Sequence, residues 1–137
     1  MSSISAPERL ILALDMPEHV YALEIVDKYS DYINIFKVGL ELFTSCGPRI
    51  VEDIKKKGKK VFLDLKFHDI PNTVNQAVLA AAGLGVSMLT LHTGGGLKMM
   101  SAAHNTSAAA NAADMMSETL LPAFRKPISP PTSRKTM

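Results

Sequence analysis

Four short apolar runs, 10-LILALD-15, 33-INIFKVG-39, 60-KVFLDLK-66 and 86-VSMLTLH-92, each carry a polar residue at or near the C-terminal end, and each leads into a helical stretch. This recurrence constrains the fold more than any other feature of the chain. Strands that alternate with helices at a spacing of about 25–30 residues build right-handed βαβ units on a parallel sheet. The runs are apolar at nearly every position, the pattern of strands covered on both faces.

Punctuation between the runs fits the same plan. Pro17 is expected to open a first helix carrying Val20, Leu23, Ile25 and Val26, because proline costs nothing in a first helical turn. A second helix is expected over residues 48–57, stopped by Gly58 after a lysine-rich turn. The third should span about 72–84, and a fourth should follow 93-TGGG-96 and run to about residue 116.

Side chains two apart on a strand share a face. Ile11, Ala13 and Asp15 form one set, Ile33, Ile35 and Lys37 a second. Phe62, Asp64 and Lys66 form a third, and Met88, Thr90 and His92 a fourth. In each set the polar member lies at the C-terminal end, where a (β/α)-barrel builds its active site. The plan then stops. The stretch 122-PAFRKPISPPTSRKTM-137 holds four prolines, four basic residues and no acid, the composition of a disordered tail. A closed eight-stranded barrel takes about 250 residues. The expected fold is therefore α/β: a partial TIM (β/α)8 barrel of about four units over residues 8–121, followed by a tail over 122–137.

Several function classes drop out on composition. The chain is 47% apolar and 20% charged, with a net charge of +2, so neither wholesale disorder nor a strongly charged partner is indicated. The run 55-KKKGKK-60 has no accompanying aromatic or arginine pattern and reads as a solvated helix end, not a nucleic-acid patch. The single cysteine, Cys46, leaves no internal disulfide and fits a reducing compartment. The apolar run that begins at Leu10 is too short for a signal peptide or a membrane span, so a cytoplasmic protein is expected.

The chemistry concentrates in 62-FLDLKFHDIPNT-73. Asp64 and Lys66 should be same-face neighbours about 7 Å apart. Lys37 would reach Asp64 from the adjoining strand, and Asp69 in the loop beyond would be the fourth charge. An alternating Lys–Asp–Lys–Asp array keeps every member ionised, because each ammonium stabilises the carboxylates beside it. Two uses fit such an array: a structural ion cluster closing the mouth of the sheet, or a fixed ammonium that donates a proton to a carbon becoming negative. His92 reads as a hydrogen-bonded structural residue. The glycines of 94-GGG-96 read as a tight βα turn, with phosphate binding by backbone N–H groups the alternative.

The string 64-DLKFHDIPNT-73, with 12-LALD-15, 36-FKVG-39 and 91-LHTGGG-96 at these spacings, closely resembles bacterial-type orotidine 5'-phosphate decarboxylases over about residues 8–105. The D-x-K-x-x-D core is shared with sugar-phosphate decarboxylases of the same barrel superfamily. In that metal-dependent branch, which acts on 3-keto-gulonate 6-phosphate and hexulose phosphates, the second strand typically ends in a glutamate that helps to bind Mg²⁺. Here that position is Lys37.

The resemblance implies decarboxylation of orotidine 5'-monophosphate to UMP and CO2 without metal or organic cofactor. It implies that Lys66 protonates C6 of the pyrimidine and that Asp64 sits by the departing carboxylate. Asp15 and Lys37 would hold ribose hydroxyls, with Lys37 also orienting Asp64. It further implies a homodimer with shared active sites, in which Asp69, Ile70 and Thr73 complete the neighbouring subunit's site. The family's phosphate and pyrimidine contacts come from later strands of the barrel. Neither Arg125 nor Arg134 lies in a matching motif, so neither carries that role. A non-catalytic half-barrel is the alternative, and metal-dependent sugar-phosphate chemistry a third.

Overall fold

The computed structural model describes residues 5–109. Four strands, β1 (Ile11–Leu14), β2 (Ile35–Gly39), β3 (Lys60–Phe67) and β4 (Met88–Leu91), form one parallel sheet in the order β1-β2-β3-β4. Helices α1 (His19–Tyr29), α3 (Arg49–Lys56), α4 (Pro71–Gly83) and α5 (Gly96–Ala109) alternate with them. The alternation of strand and helix is thus the one the apolar runs imply. The expected helix end near residue 116, the domain limit at 121 and the tail over 122–137 lie outside the described residues.

Two details differ from expectation. Pro17 stands ahead of α1, whose N-cap is Glu18. An additional seven-residue helix, α2 (Leu40–Cys46), follows β2 directly. It buries Leu42 and ends at Gly47 with φ +65°. Two short helices thus fill the β2–β3 connection where the punctuation indicated one.

The helices cover one face of the sheet. Leu14, Phe36, Val38, Val61, Leu63 and Leu89 point from the strands into a core that is essentially sealed. Each helix meets them with a stripe at helical spacing: Ala22 and Val26 on α1, Ile50, Val51 and Ile54 on α3, Val74, Val78 and Ala81 on α4, Met99 and Ala103 on α5. Burying each larger aliphatic of this set is worth about 1.5–3 kcal/mol. The opposite face corrects the expectation of strands covered on both sides. Ile11, Ala13, Ile35 and Phe62 alternate with the core residues and stand outside the buried cluster, with Ile11 40% exposed. In a closed barrel this face is the interior, so an apolar pattern on both faces belongs to the closed form.

The lysines of 55–60 are held by the protein itself. Lys55 Nζ donates to the Leu84 carbonyl (2.9 Å) and Lys59 Nζ to the Ser30 carbonyl (2.6 Å), each at a helix C-cap. Ammonium groups are favourable there because the last carbonyls of a helix carry partial negative charge. Lys56 pairs with Asp53 at 3.0 Å, Lys57 with Asp27 at 2.7 Å and Lys60 with Glu8 at 3.4 Å. The run clips helices together at the N-terminal edge of the sheet, opposite the charged residues at the strand C-termini.

Candidate active site

Parallel pairing in register carries four charged groups to the C-terminal edge. Ala13 lies opposite Lys37, and Gly39 opposite Asp64. Lys37 Nζ lies 3.3 Å from Asp15 Oδ1 and 3.6 Å from Asp64 Oδ2. Lys66 Nζ donates to Asp64 Oδ1 at 2.9 Å. The result is an unbroken chain Asp15–Lys37–Asp64–Lys66. Asp64 is its most enclosed member, with a side chain only 13% exposed, whereas that of Lys66 is 64% exposed. An ammonium tethered at its root and open on its outer side can meet a substrate without first leaving a buried partner.

Partial burial pushes the Asp64 carboxyl upward. Hydrogen bonds from Lys66 and Thr90, together with the charges of Lys66 and Lys37, outweigh that effect and hold it below the ordinary carboxylate range. Asp64 is therefore a persistent anion that orients two ammonium groups.

Lys66 does not reach this position by continuing the strand. It has φ +50°, the only positive φ of a non-glycine residue among the described residues, and the β3–β4 ladder is irregular between Leu63 and Phe67. The period of two expected to place Asp64 and Lys66 on one face stops at this point. A left-handed turn brings the lysine back over Asp64 instead. Such a conformation costs a non-glycine residue roughly 1–2 kcal/mol. Strained backbone of this kind concentrates at functional sites.

Thr90, on β4, holds that turn and had no role assigned from the sequence. Its Oγ1 accepts the backbone N–H of Lys66 at 2.9 Å and donates to Asp64 Oδ1 at 2.8 Å. The only signal available was its place in the Met88–Thr90–His92 face set. Thr90→Val keeps the shape and removes both bonds. It is expected to lower stability by about 1–2 kcal/mol, measurable as a lower urea midpoint. An unchanged midpoint would show that the hydroxyl does not hold the turn.

The other expected site residues lie apart from this chain of charges. Asp69 makes no ion pair with Lys66 among the described residues; its Oδ1 accepts the Ile70 N–H at 2.6 Å. Asp15, not Asp69, is the fourth charge of the network within one chain. Asp69, Ile70 and Thr73 are all exposed around the start of α4, Ile70 at 65%. His92 Nδ1 accepts the Gly94 N–H at 3.0 Å, and its ring stacks on His68 with centroids 4.8 Å apart. The glycines after it form a 3-10 turn over Thr93–Gly95. A Cβ on Gly95 would stand 2.0 Å from the sulfur of the buried Met99, and Gly96 has φ +79°. Close packing and chain reversal account for both glycines.

No group of three or more His, Cys, Asp or Glu side chains suited to holding a metal ion occurs among the described residues. No helix among them is long and apolar enough to cross a membrane.

Parallel βα units with a charged constellation at the strand C-termini define a class: this is part of a (β/α)8 barrel. Residues 8–124 match the model of the orotidine 5'-phosphate decarboxylase / HUMPS family, and the chain belongs to that family. The family indicated by the 64–73 string is therefore the one found. A Saccharophagus degradans protein named orotidine 5'-phosphate decarboxylase is 58% identical over 95 residues, covering 69% of this chain and 40% of that protein. One of the same name from Moorella thermoacetica is 48% identical over 103 residues, 75% of this chain and 41% of that protein. The crystal structure of orotidine 5'-phosphate decarboxylase from Pyrococcus horikoshii superposes with a TM-score of 0.66 at 32% identity, over 70% of this chain and 47% of that one. The chain thus spans less than half the length of these relatives.

Proposed function

We propose that the chain carries the proton-donating part of an orotidine 5'-monophosphate decarboxylase site, within a barrel domain over residues 8–121, for the last step of pyrimidine (UMP) synthesis. The observation that carries this reading is the Asp15–Lys37–Asp64–Lys66 chain of contacts ending in an exposed ammonium. Loss of CO2 from C6 of a pyrimidine leaves a vinyl carbanion with no ordinary electron sink. Barrier lowering must then come from fixed charges that need no reorganisation as the carbanion forms. Lys66 stabilises the developing anion and delivers its proton to C6. Asp64, held ionised, stands by the departing carboxylate and keeps Lys66 aimed. Asp15 and Lys37 hold ribose hydroxyls, which couples substrate binding to the orientation of Asp64.

Asp69, Ile70 and Thr73 serve the neighbouring subunit's site in a homodimer, a role that suits their exposure and the absence of Asp69 from this chain's own network. No metal or organic cofactor takes part. Lys37, where the metal-dependent branch has glutamate, supports that choice over sugar-phosphate chemistry. We assign the enzyme to the cytoplasm and give it neither a nucleic-acid partner nor a membrane partner.

The test is turnover of orotidine 5'-monophosphate by the purified chain, followed as CO2 release with and without EDTA. Any release is expected to be weak, because the family's phosphate and pyrimidine contacts come from later strands, and to be unaffected by EDTA. Mg²⁺-stimulated turnover of a 3-keto sugar phosphate would instead assign the chain to the metal-dependent branch. The uncovered face of the sheet favours a second reading, a non-catalytic half-barrel. A folded chain with no turnover at any concentration would establish it.

A further inference from the structure

We propose that Thr90 is a positioning residue for proton delivery, whose hydroxyl closes a ring of hydrogen bonds that keeps Lys66 aimed while its proton leaves. The inference rests on the decarboxylase reading above. It adds to that reading a neutral group that acts only through Lys66 and Asp64.

The strand register shows why this position matters. Leu63 pairs with Leu89 and Phe67 with Leu91, so Thr90 alone faces the three residues 64–66. Extra residues on one strand of a pair leave backbone groups outside the ladder and re-aim side chains. The Lys66 N–H lies in this stretch and donates to Thr90 Oγ1 at 2.9 Å. An N–H can only donate, so that oxygen acts there as an acceptor. An ionised carboxylate can only accept, so the hydroxyl proton goes to Asp64 Oδ1, 2.8 Å away. The same Oδ1 accepts from Lys66 Nζ at 2.9 Å. One oxygen thus holds both ends of one lysine, the ammonium directly and the backbone through Thr90. Threonine suits this junction, because its branched Cβ restricts χ1 and keeps the hydroxyl in place.

The ring matters most when the proton moves. The electron pair left on C6 by departing CO2 forms a C6–H bond with a proton from Nζ, and Lys66 becomes a neutral amine. Its bond to Asp64 then loses the strength that a charged donor gave it. The two Thr90 bonds do not depend on that charge. They hold the Lys66 backbone and Asp64 Oδ1 in place until the amine regains a proton from water. Lys37 cannot substitute, since it faces the other carboxylate oxygen at 3.6 Å and an ammonium cannot accept the Lys66 N–H. Asp15 lies beyond Lys37, on the far side from the ring.

CO2 release from orotidine 5'-monophosphate by the full chain tests the proposal, with Thr90→Val and Thr90→Ser compared at equal, high enzyme concentration. Each variant is assayed where circular dichroism shows it folded. Valine should lower kcat roughly 10–10²-fold with KM unchanged, since small displacements of a reacting group cost up to about that much. Serine keeps the hydroxyl and should restore most of kcat. Exchange of the Lys66 amide should be slow in the parent and the serine variant and fast in the valine variant. If Thr90→Val fails to fold, Thr90→Ala carries the same test. A folded valine variant with parental kcat would overturn the proposal, as would a loss confined to KM. Serine as slow as valine, or a Lys66 amide equally protected in all three, would overturn it too. In each of these cases the parent still turns over, so the decarboxylase reading survives. A parent that releases no CO2 would defeat that reading, and the role of Thr90 with it.

Discussion

Lys66→Ala and Lys66→Gly should each lower turnover of orotidine 5'-monophosphate by about 10³-fold or more, since a positioned proton donor contributes roughly 10²–10⁴. They should differ in stability in an unusual sense. Alanine retains a Cβ at φ +50° and so keeps the left-handed penalty, while losing the Lys66–Asp64 bond. Glycine loses the same bond but carries no such penalty, so it should be the more stable of the two by about 1–2 kcal/mol. At an ordinary strand position the order would be the reverse. The bond itself is worth little to stability, because the lysine side chain is 64% exposed and surface pairs contribute about 0–1 kcal/mol. The glycine variant is therefore expected to be at least as stable as the parent. Equal stability of the two variants would show that no strain is stored at residue 66. Turnover retained in either would remove Lys66 from the mechanism.

The strained turn also marks the limit of what could be read from the residues. Alternation of strands and helices was legible because apolar runs and Gly58-type stops are local signals. Gathering Asp15, Lys37 and Asp64 followed from the strand C-termini alone, since parallel register aligns them. The turn at Lys66 was not legible. A period of two contains no information about a residue whose backbone departs from it, and lysine is a poor advertisement for positive φ. Thr90 stayed hidden for a related reason: its two hydrogen bonds exist only because that turn presents an N–H to it. Asp69 has the right charge and spacing, yet its carboxylate caps the next residue's N–H. Sequence distance to Lys66 could not show that the side chain would turn to the adjacent backbone instead. The half-covered sheet was obscured by composition, since strands written for a closed barrel look identical when only one face is packed.

Asp64→Asn should cost about 2 kcal/mol at neutral pH, in the range for hydrogen bonds to charged groups. It should abolish turnover as well. Asparagine can still accept from Thr90, so the loss isolates charge from shape. Without the carboxylate, Lys37 is left with only the exposed Asp15, and Lys66 with no anion to aim it. The pH dependence provides a sharper check. Asp64 has a folded-state pKa below its unfolded value, so its contribution is complete above the unfolded value of about 3.9 and is lost as pH falls through the folded one. Parent and variant should therefore differ fully at pH 7 and converge as the pH falls below about 4. Asp53 and Glu8 are likewise held below their ordinary values, Asp53 mainly by Lys56 and Glu8 mainly by Ser5. Both are present in parent and variant, so their acid lability cancels in the difference. Urea unfolding of the pair at several pH values measures that difference directly. A gap that persists undiminished to pH 2 would mean that shape, not charge, holds the network. A variant more stable than the parent at pH 7 would mean that Asp64 is maintained at a cost to folding, solely for what it does to the two ammonium groups beside it.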